Sequence, residues 1–305
     1  MTEVLSPGLT LRRGQIDDVD RVTQVIVAEE RSLRGDTEWS TSDTLDWWRG
    51  LEDHGEAWVV EDSAGAVLAA IGLFGRGDRF NGWIAIDPEH KREELHQALV
   101  EHAEQRVRAT DVRCLTLGAL AEDIAAQRLF ERLGYAVVRR FYRMRIELED
   151  QPQPPEWPEG IRCSRFDPND AHAFHHATTD AFAENWDFMR MEFEEWKRLR
   201  IEAPDFDPSL WFVARDGDEI AGFARCEADR WGGGWVALLG VRKPWRRRGL
   251  GEALLRHSFC EFFARGERQV GLGVDAQNES GATRLYERAG MHVEAEDIVY
   301  EKQLT

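Results

Sequence analysis

PWRRRGLGEALL, residues 244–255, puts three arginines directly ahead of Gly-Leu-Gly and an apolar run that reads as a helix. A helix start carries roughly half a positive charge and several unpaired N–H groups, so carboxylates are its stabilising neighbours and arginines have the wrong sign. The stretch reads as a site for an anion that the chain does not supply. Its glycines let backbone N–H groups approach a ligand, and the helix terminus concentrates them. A Walker loop is excluded because GxxxxGK[ST] is absent. The dinucleotide fingerprint fails as well: Leu254 stands where a third glycine is wanted, and Arg242 to Arg248 intervene where a strand should run into the first glycine.

Working outward, the strand-like WVALLGV (235–241) precedes the arginines, VGLGVDAQN (270–278) follows the helix, and GATRLYERAGM (281–291) comes next. The same order appears earlier in the chain. LFERLGY (129–135) matches LYERAGM (285–291), AWVVEDSAGAVLAAIGLF (57–74) parallels LWFVARDGDEIAGFARC (210–226), and FNGWIAI (80–86) parallels WVALLGV. One shift of 156 positions superposes Pro88 on Pro244, Phe130 on Tyr286 and Gly134 on Gly290. The chain therefore reads as a duplicated unit of α/β class, a mixed sheet flanked by helices. Each copy is expected to run strand, helices, three strands around an acidic hairpin, helix, strand, helix and a final strand pair. Between the copies, LEDQPQPPEWPEG gathers Pro152, Pro154, Pro155 and Pro158, which removes backbone donors and disfavours helix. The expected division is 1–150, a linker at 151–159, and 160–305.

At 305 residues, 42% hydrophobic and 31% charged, the chain is long enough for two cores. No stretch approaches a membrane span and the start lacks a leader pattern, so the expected location is the cytoplasm, with no membrane partner. A net charge of -18 argues against nucleic acid and suits a cationic substrate. The cysteines Cys114, Cys163, Cys226 and Cys260 are far apart and indicate neither disulfide framework nor zinc site. His172, His175 and His176 share no third-ligand pattern, so no metal is expected.

Arg246, Gly249 and Gly251 meet the (Gln/Arg)-x-x-Gly-x-(Gly/Ala) motif of the GNAT superfamily of N-acetyltransferases, and the flanking strands, Asn278 and Tyr286 follow at family spacing. Most of 160–304 thus resembles a GNAT domain, and the whole chain a tandem of two. The resemblance implies acetyl-CoA as cosubstrate, its pyrophosphate on the amides of 246–251, including Leu250, with Arg247 or Arg248 reaching the other phosphate. It also implies a backbone N–H at Val241, with Leu239 beside it, for the acetyl carbonyl, and Tyr286 as general acid toward the departing thiolate.

The base is less marked, because WVALLGV contains no carboxylate. Glu227 on the preceding strand and Glu184 in AFAENWDFMRMEFEEW are the candidates. That second segment combines Asp180, Glu184 and Asp187 with Trp186 and Phe188, groups that suit an alkylammonium or simply make a wet acidic helix face. In the first copy His90 replaces Arg246, Glu93 replaces Gly249, Leu95 replaces Gly251, Glu122 replaces Asn278 and Phe130 replaces Tyr286. The first copy is therefore expected to keep the fold without the chemistry, as a scaffold or one wall of an acceptor cleft, in a monomeric pseudo-dimer. The activity this implies is acetyl transfer to a primary amine of a small molecule by direct attack on the thioester. A tandem subclass that acetylates the cysteinyl amine of a sugar conjugate has the same layout. A non-catalytic acyl-CoA sensor and a peptide acetyltransferase are readings from other classes.

Overall fold

The computed structural model describes residues 2–304 apart from 7, 187, 204, 205, 279 and 280. Asp187 lies outside the described residues. The chain forms two compact units, one of 1–141 with 295–305 and one of 142–294.

The first unit contains β1 (Thr2–Ser6), β2 (Leu9–Arg13), α1 (Val19–Arg34), α2 (Thr41–His54), β3 (Gly55–Asp62), β4 (Val67–Arg76), β5 (Arg79–Ile86), α3 (Glu93–Arg108), β6 (Cys114–Leu120), α4 (Ile124–Arg132) and the start of β7 (Ala136–Glu147). Local chemistry sets these limits. Ser40 and Asp43 form a reciprocal capping box at the start of α2, Asp123 accepts from the Ala126 amide at the start of α4, and Gly35 ends α1 with φ +89°.

The second unit repeats the plan with β8 (Ile161–Arg165), α5 (Ala171–Phe182), α6 (Phe193–Arg200), β9 (Trp211–Asp216), β10 (Glu219–Arg230), β11 (Gly233–Val241), α7 (Leu250–Ala264), β12 (Gln269–Asp275), α8 (Ala282–Arg288) and the start of β13 (His292–Gln303). Its sheet runs β7-β12-β11-β10-β9-β8, with β8–β9, β9–β10 and β10–β11 antiparallel and β11–β12 parallel. The mixed sheet flanked by helices is the architecture the duplicated sequence implies.

Two expectations change. Each copy closes with one 12-residue strand, β7 or β13, in place of a strand pair. The units also change over inside those strands, at 141/142 and 294/295, and not at the proline-rich stretch. The reason is pairing: Asp297 to Gln303 of β13 lie antiparallel to Leu120 to Cys114 of β6, and Ile298, Tyr300 and Leu304 are buried in the first unit's core. Residues 151–158 have no regular structure and lie along α7, where Trp157 packs edge-on against His257.

In the second unit α7 packs on one sheet face through Leu254, Leu255, Phe259 and Phe262. Gly234 permits the approach, since a Cβ there would lie 2.5 Å from the Phe262 ring. The helices α5 and α6 cover the opposite face through Phe174, Trp196, Trp211 and Phe223.

Candidate active site

The parallel pair is short. Gly234 pairs with Val270 and Trp235 with Gly271, after which β11 runs on to Val241 and β12 to Asp275 without further pairing. The strands therefore splay, and Ala237 is the extra residue of a bulge in β11, between Val236 opposite Cys226 and Leu238 opposite Arg225. Leu239 and Val241 are half-buried beyond the bulge, against the α7 core. Gly273, in the middle of β12, is exposed, which marks an open floor between the separated strands.

At the far end of β11 the chain turns through Lys243–Trp245 into α7. The indole of Trp245 donates to Asp216 at 2.9 Å and anchors the turn. Arg247 has φ +61° and Gly249, which caps the helix, φ +83°. An arginine in the left-handed region is strained by about 1 kcal/mol or more, a cost found where backbone amides must be aimed. The amides of Arg247, Arg248, Gly249, Leu250, Gly251 and Glu252 make no hydrogen bond among the described residues. Gly251 keeps the helix start close to Leu285, which a Cβ would approach to 3.0 Å.

The three arginines have different occupations. Arg246 turns inward, donating from Nε to the Val241 carbonyl at 3.0 Å and from Nη2 to that of Ala181 at 2.9 Å. Its guanidinium ties the end of β11 to the end of α5. Arg248 lies 3.9 Å from Asp216. Arg247 is exposed and has no ion-pair partner among the described residues.

Tyr286 projects from α8 and is buried; desolvation pushes its phenol up to about 12, and it makes no hydrogen bond among the described residues. Asn278 belongs to the turn after β12, its amide donating to the Asp275 carbonyl at 3.0 Å and its carbonyl accepting from Gly281 at 3.4 Å.

The two candidate bases part company. Glu184 is exposed beside the cationic turn, 2.7 Å from Lys243 and 3.8 Å from Arg246, and Lys243 holds its carboxyl below the usual range. Asp180 is likewise committed, to Arg242 at 2.9 Å. The acidic stretch after α5 thus answers the basic turn, and no open anionic pocket is formed by these two residues. Glu227 stands on the α5 face of β10, opposite Trp235, with Arg225 at 2.5 Å and Arg230 at 2.8 Å. Burial alone would raise its carboxyl, but the two guanidiniums outweigh burial and hold it low. Arg225 escaped the sequence reading; its only signal was a charged residue two positions from Glu227, on the same face of a strand.

Of the α5 histidines, His172 stacks on Phe193 at 3.5 Å between ring centroids, His175 bonds the Met191 carbonyl, and His176 is exposed near Asp180. Among the described residues no group of three or more His, Cys, Asp or Glu could hold a metal ion.

The first unit fills the corresponding turn with its own charges. Lys91, at the position of Arg247, reaches Glu29 at 2.7 Å and Asp123 at 2.5 Å, and Glu93 at the start of α3 pairs with Arg132. Leu95 and Phe130 are buried, and His96 packs edge-on against Phe130. Protein carboxylates stand there where the second unit presents bare amides.

The second unit thus holds a sheet opened between two parallel strands, unbonded amides at the following helix start and a buried tyrosine ring on the next helix. The model of the Acetyltransferase (GNAT) family matches residues 22–135 and 172–291, and the chain belongs to that family of enzymes. It is similar to the mycothiol acetyltransferase of Thermobispora bispora, 34% identical over 185 residues, or 58% of this chain and 62% of that one. With the mycothiol acetyltransferase of Clavibacter michiganensis subsp. michiganensis it is 29% identical over 262 residues, 83% of this chain and 82% of that one. The alignments thus span about three-fifths of the first relative and four-fifths of the second.

Among solved structures, a GCN5-related N-acetyltransferase from Sphaerobacter thermophilus superposes with a TM-score of 0.84 at 31% identity, covering 98% of this chain and 97% of that one. A tandem GNAT protein from the clavulanic acid biosynthesis pathway has a TM-score of 0.75 at 15% identity over 97% of this chain and 98% of that one, and shares the fold. No helix among the described residues is long and apolar enough to cross a membrane.

Proposed function

We propose that the second unit moves an acetyl group from acetyl-CoA to a primary amine of a small molecule by direct attack on the thioester. The observation that carries this reading is the row of unbonded amides from Arg247 to Glu252 at the end of the splay. Bare N–H groups at a helix start fit a diphosphate, and the exposed Arg247 suits the cosubstrate's other phosphate, with Arg248 beside it. Gly249, Leu250 and Gly251 let the backbone come close, and Asn278 closes the turn below.

Beyond the bulge, β11 has amides that β12 does not take up. In this reading the N–H of Val241, with Leu239 flanking it, polarises the acetyl carbonyl, a contribution of a few kcal/mol in a dry site. Tyr286 supplies a proton to the departing thiolate: burial keeps the phenol protonated through neutral pH, and no neighbouring group competes for that proton. Glu227, on the opposite face, receives the proton of the attacking amine through water. Glu184 is left to the turn, because Lys243 and Arg246 hold its carboxylate there.

The mycothiol acetyltransferases named among its relatives make a cysteinyl amino-sugar conjugate one acceptor worth testing. The experiment is release of free thiol from acetyl-CoA across a panel of amines that includes such a conjugate. Turnover with any of them supports the reading. Thermal stabilisation by acetyl-CoA with no release for any amine would make the chain an acyl-CoA sensor instead.

A further inference from the structure

On the α5 face of β10, where the splay begins, the proposed chemistry uses Glu227 and leaves Arg225 beside it without a role. Trp211, Arg225, Glu227 and Trp235 share this face: Arg225 pairs with Trp211 on β9, and Glu227 with Trp235 on β11. Because the β11 bulge falls opposite Arg225, this guanidinium stands beside the segment whose amides leave the ladder. The floor next to it is open, since Gly273 is exposed and a Cβ there would meet only the Trp235 ring, at 3.9 Å.

Arg225 and Arg230 divide one carboxylate between them, Nη1 of Arg225 bonding Oε1 of Glu227 and Nη1 of Arg230 bonding Oε2. Glu294, at the start of β13, is itself shared by Arg143 at 3.0 Å and Arg145 at 2.6 Å. Asp229, near the end of β10, is exposed, where solvent screens it. Arg225 makes no further hydrogen bond among the described residues, and its guanidinium lies 5.7 Å from the Trp211 ring centroid, a stack that fixes its plane. A planar fork of donors held in one orientation and short of acceptors matches a carboxylate better than a bare ammonium does.

We propose that the acceptor is an amine that also carries a carboxylate, and that Arg225 binds that carboxylate. The inference rests on the transferase reading above. It departs from the expectation drawn from net charge: the body is acidic at -18, but the group that meets the acceptor's carboxylate is the Arg225 guanidinium.

The test compares kcat/KM for 4-aminobutyrate and 4-aminobutyramide, amines of one length that differ in the anion, in the wild type, Arg225→Met and Arg225→Lys. The expected result is a preference for the anionic amine of about tenfold or more in the wild type, the scale of one charge-assisted bond. Arg225→Met should bring the ratio close to one and Arg225→Lys should keep part of it, with acetyl-CoA binding by calorimetry retained as evidence of an intact fold. Equal use of both amines by the wild type overturns the proposal. So does a ratio unmoved in Arg225→Met, or a loss of rate shared equally by both amines, which would make Arg225 only a support for Glu227. Failure of every amine, with or without a carboxylate, while acetyl-CoA still binds would instead overturn the transferase reading and this inference with it.

Discussion

Tyr286 shows how little at the scale of single residues separates a packing group from a chemical one. Its ring belongs to the α7-side core, while its hydroxyl has no partner among the described residues and is not sealed from solvent, so it stays within reach of a ligand. Tyr286→Phe should therefore leave stability within about 1 kcal/mol. It should lower kcat by ~10²-fold or more, the range for loss of a general acid. A thermal midpoint and a steady-state rate on the same sample check both halves, and an unchanged kcat removes the assignment. His96 in the first unit offers a residue-scale test of another kind. Burial, reinforced by Lys91, lowers its imidazole from 6.5 to about 4. The unfolded chain takes up that proton first, so this contribution to stability is complete above about pH 6.5 and drains away as pH falls toward 4, by roughly 3 kcal/mol at most. Urea midpoints at pH 7 and pH 4.5 should converge in His96→Leu relative to the wild type.

At the scale of elements, the turn from β11 into α7 was legible because its meaning lies in spacing: a strand, three cations, Gly249 and Gly251 within a dozen residues. Asn278 and Tyr286 could be placed for the same reason, each being local to its own turn or helix. The Arg225–Glu227–Arg230 trio was not legible, because a carboxylate reads alike whether it is solvated or clasped, and only the burial of β10 against α5 and α6 decides. Glu184 illustrates the converse: its neighbours Lys243 and Arg246 lie about sixty positions away in sequence and meet it only through Arg246 reaching the end of α5. The element-scale prediction concerns Gly249. A Cβ there meets nothing within 4 Å, so the strain of a side chain is that of φ +83° alone, about 1–2 kcal/mol. Gly249→Glu would place at the second turn the same residue type that the first carries at Glu93, a carboxylate at a helix start. Acetyl-CoA binding should fall below detection in calorimetry while the chain stays folded by circular dichroism. Gly249→Ala should bind measurably, and loss of binding in both variants equally would point to backbone strain and away from charge.

At the scale of the molecule, the duplication was plain in the sequence but the ownership of the last strands was not, because pairing between residues 114–120 and 297–303 leaves no local trace. The first unit's β6 is covered along its whole length by the chain's last strand, and the Leu304 amide donates to the Arg113 carbonyl at 2.6 Å beyond the end of that ladder. Tyr300 packs on Phe130 at 5.5 Å between ring centroids, and Lys302 reaches the buried Glu104, which also bonds Tyr135. Removing this strand strips a β-ladder, opens the core beside Phe130 and leaves Glu104 short of a cation, three penalties of a kind that individually run to about 1–5 kcal/mol. A chain ending at 294 should therefore lose the first unit's cooperative unfolding transition, whereas the single substitution Tyr300→Phe should lower it by no more than about 1 kcal/mol. Hydrogen exchange separates the causes: rapid exchange confined to residues 57–135 in the shortened chain would place the damage in the first unit, and full protection there would show that β6 does not depend on the last strand.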